Sequence, residues 1–143
     1  MMNHTSANLG DLVVDHVAIA VADLDATIAD YTNRLGAKVA HREIIADQGV
    51  EEVLIAAGGP FIQLLHPLSP DSPVGKFLAK RGPGLHHIGY RVNDVAAAIL
   101  QFKAAGARLI DEVPRRGSRN TKIAFVHPAS MGGVLVELVE LPE

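Results

Sequence analysis

The chain has 143 residues, 48% of them hydrophobic and 20% charged, with a net charge of −3 and no cysteine. That composition suits one compact domain or two small modules sharing a core. It excludes disorder, a disulfide framework and any thiolate nucleophile or thiolate metal site. No apolar run approaches the roughly 20 residues of a membrane-spanning helix, and no secretory signal opens the chain, so a cytoplasmic protein without membrane contact is expected.

Charge is unevenly placed. Between residues 76 and 122, ten basic residues are accompanied by only three acids, Asp94, Asp111 and Glu112. Such a cluster is ordinarily a solvated face; the sharper reading is a landing surface for an anionic ligand. Nucleic acid is not an expected partner, because the whole chain is acidic and its aromatics are few. No P-loop or dinucleotide fingerprint is present.

Residues 1–10 are polar and read as a flexible tail. The apolar, β-branched run 12–21 reads as a buried strand with His16, Ala18 and Ala20 on one face. Asp23 or Asp25 then caps a helix whose apolar positions are Leu24, Ile28, Tyr31 and Leu35, and Gly36 ends it. Three further strands are expected at 37–43, 51–57 and 60–66, separated by turns at 47–49 and 58–59. This first βαβββ module occupies 11–67, and a Pro- and Ser-rich linker with a short helix near 73–81 fills 68–84.

The pattern then restarts in a second module over 85–143. A strand at 87–92 leads to a helix capped by Asn93 or Asp94, carrying Val95, Ile99 and Phe102 and ending at Gly106. Strands at 107–113, 121–127 and 132–140 follow, with an Arg-rich loop at 114–120. The two copies match residue by residue: His16 with His87, Val21 with Val92, Ile28 with Ile99, Tyr31 with Phe102. An acid stands seven residues after each histidine, Asp23 and Asp94. The last strands also correspond, Ile62-Gln63-Leu64-Leu65 against Val136-Glu137-Leu138-Val139. A half unit leaves one sheet face uncovered, so both modules are expected in one compact domain.

The repeat places polar residues inside apolar strands in related pairs. His16 and His87 open the first strands, and Gln63 and Glu137 stand at equivalent points of the last. Each is costly to bury unpaired. Four such residues related in pairs are better explained by a shared metal than by four separate structural roles. Two imidazoles, an amide oxygen and a carboxylate suit an octahedral divalent ion such as Co²⁺, Mn²⁺, Ni²⁺ or Zn²⁺. Four protein ligands leave two positions for a bidentate substrate, which is the mark of a catalytic site.

The duplicated βαβββ unit resembles the vicinal oxygen chelate superfamily, and most closely its methylmalonyl-CoA epimerase family. The segments carrying the resemblance are Asp15-His16-Val17-Ala18, His41-Arg42-Glu43, Gln48-Gly49-Val50-Glu51-Glu52, Gly84-Leu85-His86-His87 and Gly132-Gly133-Val134-Leu135-Val136-Glu137-Leu138. It implies an α+β fold of two tandem βαβββ modules forming a curved mixed sheet around a metal site. It also implies His16, Gln63, His87 and Glu137 as ligands, Co²⁺ foremost among the metals, and Glu52 and Glu137 as the acid–base pair. The implied reaction moves the C2 proton of a CoA thioester, interconverting (2R)- and (2S)-methylmalonyl-CoA, and the implied assembly is a homodimer.

Individual residues carry bland readings too. Strand alternation turns only one of Glu51 and Glu52 inward, and the family segment favours Glu52. Gln48 either orients a base or simply forms the turn. Ser130 and Gly132 lie in a small-residue turn whose backbone N–H groups are candidates to receive the substrate carboxylate. Arg115, Arg116, Arg119 and Lys122 are the first places to look for the CoA phosphates. His86, His41, His66 and His127 read as structural. The competing functions are a glyoxalase-I-like hemithioacetal isomerase and a non-catalytic ligand-binding protein of the same fold. An iron dioxygenase is disfavoured, since it uses a two-His, one-carboxylate triad.

Overall fold

The computed structural model describes residues 9–143, so most of the expected tail, residues 1–8, lies outside the described residues. The chain forms two compact units. One is His16–His86; the other joins the residues up to Asp15 to His87–Glu143, so the division falls inside two strands.

In the unit His16–His86, β1 (Val13–Ala20) is followed by α1 (Leu24–Ala29), β2 (Val39–Ile45), β3 (Val50–Ala56), β4 (Phe61–Pro67) and α2 (Pro73–Arg81). The sheet order is β2-β3-β4-β1, with β1 parallel to β4 and the other pairs antiparallel. Asp23 caps α1 by accepting from the Ala26 N–H at 3.0 Å, which satisfies one of the orphan donors of the first turn. The last turn widens to a π-helix over Asp30–Arg34 before Gly36, at φ +66°, turns the chain out. Val21, Leu24, Val53, Ile55 and Leu64 bury the helix-bearing face, with Ile28 and Tyr31 packed on them.

The other face of that sheet is only partly covered. Val74, Phe77 and Leu78 of α2 pack on Ala18, Ala20, Ile45, Val50 and Leu65, each large side chain contributing roughly 1.5–3 kcal/mol if fully buried. Ser72 caps this helix by accepting from Gly75 N–H, and Pro73 opens it, as its sequence predicts. A Cβ on Gly75 would stand 2.4 Å from the Ser69 carbonyl oxygen and 2.7 Å from that of Pro70. Alanine normally improves a helix interior. Here Gly75→Ala is expected instead to cost about 2 kcal/mol through overpacking against backbone, measured as a lower urea midpoint; a neutral or raised midpoint would contradict the packing.

In the second unit β5 (Gly84–Arg91), α3 (Val95–Ala104), β6 (Arg115–Arg116), β7 (Lys122–Val126) and β8 (Val136–Glu140) give the order β5-β8-β7-β6. Strand β5 is parallel to β8, and the rest are antiparallel. Asp94 caps α3 by accepting from Ala97 N–H at 3.1 Å, the counterpart of Asp23. Val95, Ala98 and Ile99 of α3 bury Ala124, Val126, Val136 and Leu138. Each unit thus has the βαβββ order, a mixed sheet and an apolar helix-bearing face, which is the α+β plan expected from the repeat.

Most boundaries shift by a few residues, and two expected strands are shortened. The strand expected at 107–113 is reduced to an isolated bridge, Leu109 to Val126, and pairing resumes only at β6. The Asp111 carboxylate accepts from the Phe125 N–H at 2.9 Å, taking with a side chain the donor that a continuing ladder would use. The strand expected from 132 begins only at Val136, because Gly132 (φ +69°) and Gly133 (φ +93°) sit in a left-handed turn.

Candidate metal and acid–base site

Side chains alternate along a strand, so registry decides which groups share a face. In the unit His16–His86, Ala18 pairs with Gln63, Leu54 with Gln63, Glu52 with Leu65 and Glu43 with Glu52. His16, Gln63, Glu52 and Glu43 therefore line the face opposite α1. Glu52 is fully buried at 0% exposure, whereas the Glu51 side chain, on the other face, is 25% exposed and bonded to Arg42 Nε at 2.8 Å.

Gln63 and Glu52 are joined. The Gln63 Nε2 donates to Glu52 Oε1 at 2.8 Å, which fixes the amide with its oxygen turned the other way. That oxygen is buried and has no hydrogen-bond partner among the described residues. An orphaned buried acceptor costs about 1–3 kcal/mol, a cost that a hydrogen-bond donor or a cation would remove. His16, 3% exposed, stands on the same face, two residues before the strand partner of Gln63.

The second unit repeats the register. Gly89, two residues after His87, pairs with Glu137, as Ala18, two after His16, pairs with Gln63. His87 and Glu137 are both buried, with Nε2 and Oε1 3.3 Å apart. Phe125 is the cross-strand partner of Glu137, and its ring meets the His87 ring edge-on at 5.3 Å, restricting the imidazole's rotation. The copies diverge at the next pair. Glu52 faces Leu65, whereas Val139, the counterpart of Leu65, faces Ile123, so the first copy carries a carboxylate where the second has an isoleucine.

The glyoxalase/bleomycin resistance protein/dioxygenase superfamily matches residues 15–125. Mitochondrial methylmalonyl-CoA epimerase of Homo sapiens is 42% identical over 132 residues, spanning 92% of this chain and 74% of that protein. The crystal structure of methylmalonyl-CoA epimerase from Mycobacterium tuberculosis has a TM-score of 0.87 at 47% identity, covering 91% of this chain and 88% of that one. The chain belongs to the methylmalonyl-CoA epimerase family of this superfamily. A methylmalonyl-CoA epimerase in complex with methylmalonyl-CoA and NH4+ gives a TM-score of 0.86 at 42% identity, over 90% of this chain and 93% of that one.

Other residues singled out in this epimerase-family sequence fall at the margins. Gln48, half-buried, ends the 3-10 turn Ala46–Gln48 between β2 and β3. The Ser130 hydroxyl accepts from the Arg108 N–H at 2.8 Å. The N–H groups of Ser130, Met131, Gly133 and Val134 donate within their own turn, so those four are not available to a carboxylate as the sequence suggested; Gly132 stands exposed among them. Arg115, Arg116 and Lys122 line an open groove of about 450 Å³ with Asn120 and Glu140. Arg115 leans on Asp111 at 3.5 Å and Lys122 on Glu140 at 3.9 Å.

Arg119 does not join that groove. Its Nη2 donates to Asp15 Oδ2 at 2.7 Å, while Arg91 Nε donates to Asp15 Oδ1 at 2.9 Å. Asp15 is fully buried and immediately precedes His16. Sequence reading passed over this clamp, although an acid inside Val13-Val14-Asp15-His16-Val17 was a visible signal that a cation had to come from elsewhere.

Proposed function

We propose that the protein is a metal-dependent methylmalonyl-CoA epimerase, an isomerase that interconverts the (2R) and (2S) thioesters. The observation carrying this reading is the repeated register: each unit presents a buried histidine beside a buried oxygen donor, and the donor of the first unit is held by a fully buried glutamate, Glu52. His16 in one unit and His87 and Glu137 in the other are buried candidate metal ligands, and Gln63 adds an amide oxygen that lacks a partner. These four donors fit a divalent ion with open positions, Co²⁺ first and Mn²⁺, Ni²⁺ or Zn²⁺ by the same chemistry. When bound, the metal supplies Lewis acidity that stabilises negative charge on the thioester oxygen once C2 loses its proton.

The chain's own residues do the rest. Inversion at C2 needs a group that takes a proton from one face and another that returns one to the opposite face. Glu52 and Glu137, one in each unit, take these roles. Gln63 holds Oε1 of Glu52 and so fixes the carboxylate's rotamer, and burial keeps water from competing for the carbanion. Arg115, Arg116 and Lys122 offer positive charge for the CoA phosphates, and Gln48, Ser130 and Gly132 are the further candidates for contact with substrate. A cytoplasmic location, resting on the cysteine-free sequence, and a homodimer, resting on the family resemblance, belong to the same reading. Among the described residues no helix is long and apolar enough to cross a membrane.

The test is conversion of (2R)- to (2S)-methylmalonyl-CoA by metal-stripped and Co²⁺-loaded protein. Conversion that appears on loading and disappears with chelator is the expected result. Failure with all four metals would overturn the reading, and turnover of a hemithioacetal instead would move the protein to the glyoxalase-I-like class.

A further inference from the structure

Among the described residues, Arg119 and Asn120 are the non-glycine residues with positive φ, at +54° and +57°. A side chain disfavours that conformation, although asparagine tolerates it better, and it persists only where the surroundings fix it. Both residues stand at the tip of the β6–β7 hairpin, in which Arg115 pairs with Ile123 and Arg116 with Lys122. Beneath the tip, the Gly117 N–H donates to the Thr121 carbonyl at 2.9 Å, and the Thr121 N–H to that of Ser118 at 3.0 Å. The turn has no slack: a Cβ on Gly117 would stand 2.6 Å from the Thr121 hydroxyl oxygen and 2.7 Å from Ile123 Cγ2.

A hold on the tip comes from outside the hairpin but inside the same unit. Arg119 Nη2 donates to Asp15 Oδ2 at 2.7 Å, a charge-assisted bond to a fully buried carboxylate that salt and water screen little. The next residue carries the effect to the open groove. Asn120 Oδ1 accepts from Arg116 Nε at 3.3 Å, and both residues line the groove with Arg115, Lys122 and Glu140. Asp111 holds Arg115 and Glu140 holds Lys122; for Arg116 the corresponding hold comes from Asn120. With a right-handed or extended tip, the Asn120 side chain would leave the backbone in another direction and that bond would be lost.

We propose that Arg119 is a positioning residue for this groove: its clamp on Asp15 locks the left-handed tip, and the tip aims Arg116 at a phosphate ester. This rests on the reading of the groove as the site of the CoA phosphates. Arg119 itself touches no ligand, because its guanidinium is engaged with Asp15 and lies outside the groove lining. The tip thus converts a buried ion pair into the direction of an exposed cation.

The test is calorimetric binding of adenosine 3′,5′-bisphosphate, the phosphate-bearing end of CoA, to the full chain. Wild type, Arg119→Ala, Arg116→Gln, their double variant and Asn120→Gly are compared. Glycine accepts the left-handed backbone and removes only the amide, so Asn120→Gly probes the same link without disturbing Asp15. Each single substitution is expected to raise Kd about fivefold, the size of an exposed charge contact. The double variant should bind no more weakly than either single one, because Arg119 acts through Arg116. Additive loss, about twenty-five-fold in the double variant, would make Arg119 a direct ligand and overturn the positioning role. An unchanged Kd in Arg119→Ala would overturn it too, as would an unchanged Kd in Asn120→Gly, which decides the matter if Arg119→Ala fails to fold. Fewer sites at unchanged Kd would mark a merely structural role and count equally against it. Absence of nucleotide binding by wild type would instead remove the assignment of the groove to the CoA phosphates, so the two failures are distinguishable.

Discussion

Glu52→Gln is expected to lower epimerisation by about a thousandfold, within the range that a positioned acid–base group contributes. The substitution keeps the shape of the side chain and an acceptor oxygen for the Gln63 Nε2, whose bond to Glu52 Oε1 measures 2.8 Å. Stability should therefore change by no more than about 1 kcal/mol, and metal content should match wild type. Metal analysis, thermal unfolding and turnover on one preparation check all three. Loss of metal would mean that Glu52 is a ligand rather than a base, and retained turnover would mean that the proton is moved elsewhere.

Glu137→Ala should act through the metal. It removes a carboxylate that stands 3.3 Å from the His87 Nε2 and that carries both proposed roles in its unit. With metal a hundredfold above Kd, wild type gains about 2.7 kcal/mol, and a variant whose Kd rises a hundredfold keeps only about 0.4 kcal/mol. At roughly 3 °C per kcal/mol for a chain of this size, the metal-dependent rise in Tm should shrink from about 8 °C to about 1 °C. Epimerisation should disappear as well. An undiminished rise in Tm would place the metal away from Glu137.

What the sequence discloses and what it hides follow from distance along the chain. The repeat was legible because its signals are local: a histidine, a small residue two positions on, an aspartate cap seven positions on, and an apolar helix face. The structure keeps that order, with Ala18 opposite Gln63 and Gly89 opposite Glu137. The Asp15 clamp was not legible, since its guanidinium partners lie 76 and 104 residues away. Arg119 consequently looked like a phosphate ligand when its charge is spent on a buried carboxylate. The strand expected near Asp111 failed for a similar reason: apolar alternation is visible in sequence, but a carboxylate taking the Phe125 N–H is not. Likewise Gln63 was readable as an oxygen donor, while the bond to Glu52 that orients it requires the β3–β4 register.

The central claim is one base for each face of C2, and the half-reactions of Glu52→Gln test it most directly. Pure (2R)- and pure (2S)-methylmalonyl-CoA are incubated separately with the Co²⁺-loaded variant in D₂O, and the C2 proton signal is followed by NMR. One enantiomer should exchange its C2 proton for deuterium with retained configuration, through Glu137, while the other stays inert. Exchange of both at similar rates, or of neither, would contradict a glutamate on each face.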